Sequence, residues 1–195
     1  MTFTLDKSTP AQSIDQRMLM SGSWESFKLV QKGLAESRAV KLFYDDGMIE
    51  IVMPGVSHEL FKSIIAVLIE AFLLSREIEF KPTGSMTQEL ENVASLQADE
   101  SYTIDFQRLS IEVTFTSGNI SKLSRYQAIG VDEVWFWEDG VLAIYHLRSV
   151  GYERIDRSEI VGLSAIDMTV LSQCILMGET SIVQASKTFL AAHKS

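Results

Sequence analysis

Apolar and polar positions alternate through residues 111–137, IEVTFTSGNISKLSRYQAIGVDEVWFW, and the period of the alternation changes twice. Ile111, Val113 and Phe115 take every second position against Glu112, Thr114 and Thr116, which predicts a strand with one covered face. Ser117, Gly118 and Asn119 break the pattern and suit the start of a helix. Ile120, Leu123, Tyr126 and Gly130 then recur at helical spacing, and a second strand runs to Trp137. Two charged residues stand out. Glu112 falls inside a β-rich, partly buried segment, where a carboxylate needs a charged partner or a metal. Lys122 lies in the first helical turn, off the apolar stripe, where the positive end of the helix dipole disfavours a cation. One strand end and one connection separate the two, so they are placed to meet in space.

The same patterns organise the rest of the chain. Residues 1–20 are polar, contain Pro10 and read as a loose arm. Ser23 is expected to cap a helix carrying Trp24, Phe27, Val30 and Leu34. Val40 to Tyr44 and Met48 to Met53 are strands joined by Asp45-Asp46-Gly47, a strong hairpin signal. In the second strand Met48, Glu50 and Val52 share a face, which leaves Glu50 as a lone acid among apolar neighbours. Ser57 is expected to cap a long helix running to Leu74, apolar on more than one side. Glu77 to Lys81 and Gly84 to Glu89 read as a strand pair with Pro82 in the turn, and Ser101 to Ile104 as a short strand. Beyond Trp137, the turn Glu138-Asp139-Gly140 leads into Val141 to Leu147 and Tyr152 to Ile155. Helices at Leu163 to Met177 and Thr180 to Ala192 close the chain. This order predicts a mixed α/β fold of the α+β class, with one domain over residues 21–195.

Composition narrows the function. The 195 residues carry a net charge of −9, which argues against a broad basic surface and so against strong non-specific nucleic-acid binding. The same charge suits a site that collects divalent cations. The single cysteine, Cys174, excludes an internal disulfide and fits a reducing compartment. The first twenty residues lack the apolar core of a signal peptide. The longest apolar run is broken by Lys62, Ser63 and Glu70 and is too polar to span a bilayer. A cytoplasmic location follows as the expectation. The surplus apolar surface of the helix ending at Leu74 points to a homodimer.

The candidate chemistry lies in acids placed where strands are expected. Glu50, Asp99 and Glu112, with Lys122 on the following helix, are of the right types for phosphodiester hydrolysis. Two carboxylates from neighbouring strands hold Mg²⁺ with waters and a substrate phosphate, and a lysine offsets developing charge. Plainer readings stand beside these. Asp99, next to Glu100 and Ser101, reads equally as a solvated turn. Glu112 reads also as half of a structural salt bridge to Lys122 or Arg125. Lys122 by itself reads as a surface residue, and Glu50 as a solvent-facing side chain on an edge hairpin. Trp135 and Trp137 read as a packing surface rather than as base-stacking aromatics.

Four segments in order, YDDGMIEIVMPGVSHE (Tyr44 to Glu59), ADESYTI (Ala98 to Ile104), IEVTFTS (Ile111 to Ser117) and KLSRYQAIGVDEVWFWEDG (Lys122 to Gly140), resemble a restriction-endonuclease-like family of the PD-(D/E)xK nuclease superfamily. This family is abundant in filamentous photosynthetic bacteria. The resemblance implies a restriction-endonuclease-like core, a central mixed sheet flanked by helices, with extra hairpins and C-terminal helices. It implies that Asp99 and Glu112 are the metal-binding acids of a Mg²⁺- or Mn²⁺-dependent DNA endonuclease. Thr114 stands where the superfamily places its lysine, and the resemblance puts Lys122 in that role. Ala98 stands in place of the signature proline. Glu50 and His58 match a glutamate and a histidine of the first family block, near the metal. The catalytic set implied is therefore Asp99, Glu112, Lys122, Glu50 and His58, with Asp99, Glu112 and Glu50 on the metal. The altered signature and the acidic charge keep a second reading open, a catalytically silent nuclease fold acting as a protein-binding module. DNA specificity, and the choice of DNA over RNA, has no recognition helix or basic stripe to carry it.

Overall fold

The computed structural model describes residues 15–37, 40–114 and 119–194. In chain order the elements are β1 (Gln16–Ser21), α1 (Trp24–Gly33), β2 (Lys41–Asp45), β3 (Met48–Met53), α2 (Val56–Ser75), β4 (Phe80–Pro82), β5 (Thr87–Leu90) and β6 (Ala94–Gln97). Then follow β7 (Glu100–Ile104), β8 (Gln107–Thr114), α3 (Asn119–Ile129), β9 (Glu133–Glu138), β10 (Val141–Arg148), β11 (Gly151–Ile155), α4 (Met168–Gly178) and α5 (Ile182–Ala192). The strands form two sheets, a five-stranded one in the order β1-β3-β2-β6-β5 and a six-stranded one in the order β11-β10-β9-β8-β7-β4. The fold is α+β, as the element order predicts.

One pairing sets the geometry of the candidate site. β8 and β9 run parallel, with Glu112 beside Phe136, whereas the other strand pairs are antiparallel. A parallel pair needs a crossover, and α3 provides it. The alternation along β8 then gives each face its own core. Leu109, Ile111 and Val113 pack with Trp135 and Trp137 against α2, α4 and α5. On the opposite face, Val134 and Phe136 meet Leu123 and Tyr126 of α3 together with Phe43, Val52 and Leu96 of the five-stranded sheet. This second core joins the two sheets, and Glu112 lies on its side of β8. Both tryptophans are fully buried, so the packing reading of Trp135 and Trp137 holds.

Several expectations change. The loose arm ends earlier than residue 20, because Gln16–Ser21 pairs in register with β3; residues 1–14 lie outside the described residues, as do Phe115 to Gly118. Ser57 does not cap α2. The helix starts at Val56 behind an extended Gly55 that offers no side-chain cap. The expected strand pair around Pro82 does not form: β4 pairs with β7 and β5 with β6, in different sheets. The fourth helix starts only at Met168, because the Asp167 side chain accepts the N–H groups of Thr169 and Val170 (2.8 and 3.1 Å) and so fixes a helix start there. The breadth of apolar surface on α2 also finds its explanation inside the chain. Phe61, Ile64, Ile65, Leu68, Ile69, Phe72 and Leu73 are buried against β8, α4 and α5, and the surface taken as a homodimer signal is largely used in this core. Among the described residues no helix is long and apolar enough to cross a membrane.

Candidate functional site

The site forms where the first core meets the second. β7 begins at Glu100, one residue after Asp99, so the Val113 N–H of β8 has no strand partner on that side. The Asp99 carboxylate takes it, accepting that N–H at 2.6 Å through Oδ2, while the Asp99 N–H donates to Ile111 O at 3.0 Å. Asp99 is 1% exposed, which rules out the solvated-turn reading. Its other oxygen, Oδ1, accepts from the Lys41 ammonium on β2 and from His58 Nε2 at 2.7 Å. His58 is in the first turn of α2 and donates through Nδ1 to Asp15 Oδ2 at 3.0 Å. Asp15, just before β1, also accepts the Gly55 N–H at 2.8 Å. Burial disfavours charge on both Asp99 and His58, and the ion pairs overcome it. Lys41 and His58 hold the Asp99 carboxyl well below the usual carboxylate range. Hydrogen bonds and charge from Asp15 and Asp99 lift the imidazole from 6.5 to about 9. His58 is thus a cation at neutral pH, clamped between two acids.

Glu112 is 2% exposed and is met from α3. Lys122 Nζ donates to Glu112 Oε2 at 3.0 Å, and the Tyr126 hydroxyl donates to Oε1. The expected meeting of Glu112 and Lys122 takes place. Lys122, Arg125 and Tyr126 are three and four residues apart and so share one helix face. Lys122 is therefore turned into the site rather than off to the surface. Burial lowers the proton affinity of its amine, but the charges of Glu112 and Asp99 more than restore it. Tyr126 is pushed far above the usual phenol range, first by burial and then by the Glu112 charge, so its hydroxyl stays protonated and donating.

Glu50, 1% exposed, is not solvent-facing. Arg17 Nε pairs with its Oε1 at 2.5 Å and Arg125 Nη1 with its Oε2 at 2.7 Å. Burial opposes its ionisation and these two guanidiniums secure it. Arg125 thus pairs with Glu50 rather than with Glu112. Each Glu50 oxygen is bound to one arginine, so Glu50 ties β1 and α3 to β3, held by two guanidiniums where Glu112 is held by an amine and a hydroxyl.

A cavity of about 240 Å³ is lined by all five residues expected from the sequence, Glu50, His58, Asp99, Glu112 and Lys122, and by Asp15, Arg17 and Lys41. Thr114, where the superfamily lysine would stand, also faces it. The sequence reasoning missed four participants. Lys41 carried a usable signal, since it has the same strand parity as Phe43, whose register partner is Glu50. Tyr126 carried another, four residues beyond Lys122. Asp15 and Arg17 had none, because β1 and the residue before it were read as an arm.

The donor set is of the type that could take a divalent ion held mostly by water and phosphate oxygens. Among the described residues no three His, Cys, Asp or Glu side chains are grouped so as to hold an ion. Asp99 and Glu112 nevertheless face one cavity, and Mg²⁺ commonly takes only one or two carboxylates, with waters and phosphate oxygens completing the octahedron. Among the described residues Asp99 Oδ2 accepts one bond and each Glu112 oxygen one, which leaves lone pairs on each acid.

No family model matches the chain, and no curated protein does. Among solved structures, the chain is similar to a protein from Anabaena variabilis described as a "putative nuclease belonging to DUF820". The TM-score is 0.51 at 13% identity, over 69% of this chain and 90% of that one. At that identity the likeness is one of fold, and the chain therefore has an α+β fold with a nuclease-like structural neighbour.

Proposed function

We propose that the chain is a divalent-metal-dependent endonuclease that hydrolyses phosphodiester bonds, with DNA as its substrate. The observation that carries this reading is the convergence of Asp99, just before β7, Glu112 of β8 and Lys122 of α3 on one small cavity. Asp99 and Glu112 would hold Mg²⁺ or Mn²⁺, which supplies Lewis acidity toward the phosphate oxygens. The remaining work falls to the chain. His58 and the Val113 N–H fix the Asp99 carboxylate, Tyr126 orients Glu112, and Lys122 stands beside Glu112 to steady charge on the phosphate or the attacking water. The buried walls hold these groups in place before substrate arrives, which lowers the reorganisation needed. Asp99→Ala, Glu112→Ala and Lys122→Ala should each abolish Mg²⁺-dependent cleavage of plasmid DNA. Cleavage that survives Glu112→Ala would refute the assignment.

One observation favours a second reading, a nuclease fold without catalysis that binds a protein partner. Asp99, Glu112 and Glu50 are each already paired with cations of the chain, as in a purely structural network. A melting temperature that stays constant through millimolar Mg²⁺ and Mn²⁺ would select it, because a ligand of the folded state raises that temperature by mass action.

A further inference from the structure

Among the described residues, the cations at the cavity are at least as many as its acids before any metal enters. Its walls carry four acids, Asp15, Glu50, Asp99 and Glu112, and three basic side chains, Arg17, Lys41 and Lys122. Arg125 bonds Glu50 from behind, and His58 makes ion-pair contacts to two of the acids. A divalent ion added to such a set meets no surplus of negative charge. A cation resting on an oxygen that is to take the metal has to give up that oxygen, and the contacts single out which one it is.

Arg17 and Arg125 are bound to Glu50, away from the Asp99 and Glu112 pair. His58 is held at both ring nitrogens, by Asp15 and Asp99, so its ring cannot leave without breaking two buried pairs. Lys122 is the residue next to Glu112 that the proposed reaction uses. Lys41 differs from all of these. Its ammonium sits directly on Asp99 Oδ1, and its other contact is a long one, 3.4 Å to Ala98 O. Its stem is flexible, as a lysine stem is. Lys41 also lines a neighbouring cavity of about 770 Å³, whose wall includes the carboxylate-bearing Glu59. The side chain therefore has room on the far side, where Glu59 is an acid it would share with Lys62.

We propose that Lys41 is an internal cation that holds the place of the divalent metal at Asp99 and swings into the adjoining cavity when the metal binds. The proposal rests on the metal-dependent reading above and adds a regulating residue to it. Lys41 keeps Asp99 ionised and ordered in the metal-free protein, and sets how much metal is needed to fill the site. A positive charge next to the metal position weakens its binding, and removing that charge strengthens it.

The test is calorimetric titration of Mn²⁺ into the wild type, Lys41→Met, Lys41→Arg and Asp99→Asn. Lys41→Met should bind Mn²⁺ about tenfold more tightly than the wild type, or better. Lys41→Arg should match the wild type, and Asp99→Asn should lose the site. Equal or weaker binding by Lys41→Met overturns the proposal. Plasmid cleavage that still depends on Mg²⁺ and Glu112 would in that case leave the nuclease reading intact. Absence of Mn²⁺ binding in both the wild type and Lys41→Met overturns both. The wild type gives a second measurement should Lys41→Met not fold. Amine acylation read by mass spectrometry should rise at Lys41 as Mn²⁺ fills the site, and labelling that does not change with Mn²⁺ overturns the proposal.

Discussion

The His58 clamp makes stability depend on pH in a direction that can be worked out in advance. Burial by itself would release the imidazole proton, yet the bonds to Asp15 and Asp99 raise the group from 6.5 to about 9. The folded chain therefore holds this proton more tightly than the unfolded chain does. Its stabilisation is complete below pH 6.5, where both states are protonated, and it fades as pH climbs from there through about 9. A tenfold change in proton affinity is worth about 1.4 kcal/mol, so the contribution is about 3 kcal/mol. The perturbation is His58→Gln, which keeps hydrogen-bonding capacity and removes the titration. The assay is urea unfolding of both proteins in EDTA, at about pH 6 and again at about pH 9.5, with free energies from linear extrapolation. The wild type should exceed the variant by about 3 kcal/mol more at the lower pH than at the higher. A difference between the two proteins that is the same at both values would show that His58 is not held as a cation, and the account of Asp99 would fall with it.

Other consequences can be checked independently. Glu133 is fully buried and accepts from Trp135 Nε1, Ser158 Oγ and the Glu159 N–H at 2.9, 2.8 and 2.6 Å. Glu133→Ala strands these three donors and removes the partner of His146 Nδ1 at 3.2 Å, and it should cost roughly 3 kcal/mol or more, read as a lower urea midpoint. Tyr126→Phe keeps the buried ring and removes the donor to Glu112 Oε1. It should cost only about 1 kcal/mol of stability yet reduce plasmid cleavage well beyond what unfolding explains. Gly178→Ala should lower the melting temperature although alanine favours helices by about 1 kcal/mol, because its Cβ would fall 2.5 Å from Ile64 Cγ2.

How far the sequence could lead depended on whether a residue's surroundings were local. Glu112 was legible because its own strand predicted burial, and Lys122 because its helix began a few residues later. The hairpin around Asp46 and Gly47, with φ of 42° and 78°, was legible from the turn chemistry. The parity of Glu50 was legible too, but its role was not. That depends on Arg17 reaching it from β1 and Arg125 from α3, elements far apart in sequence. Ser101 to Ile104 was legible as a strand, but the pairing of the short strands before it was not, since β4 and β5 go to different sheets and no local signal says so. Lys41 shows the limit most clearly. On its strand it is one polar residue in an alternating run, and what makes it matter is a carboxylate 58 positions away. Acids at strand ends can be found from pattern alone. Which cations hold them, and which of those cations can be displaced, is settled by tertiary packing, and for this chain that second question decides whether the site works as a metal centre or as a salt-bridge network.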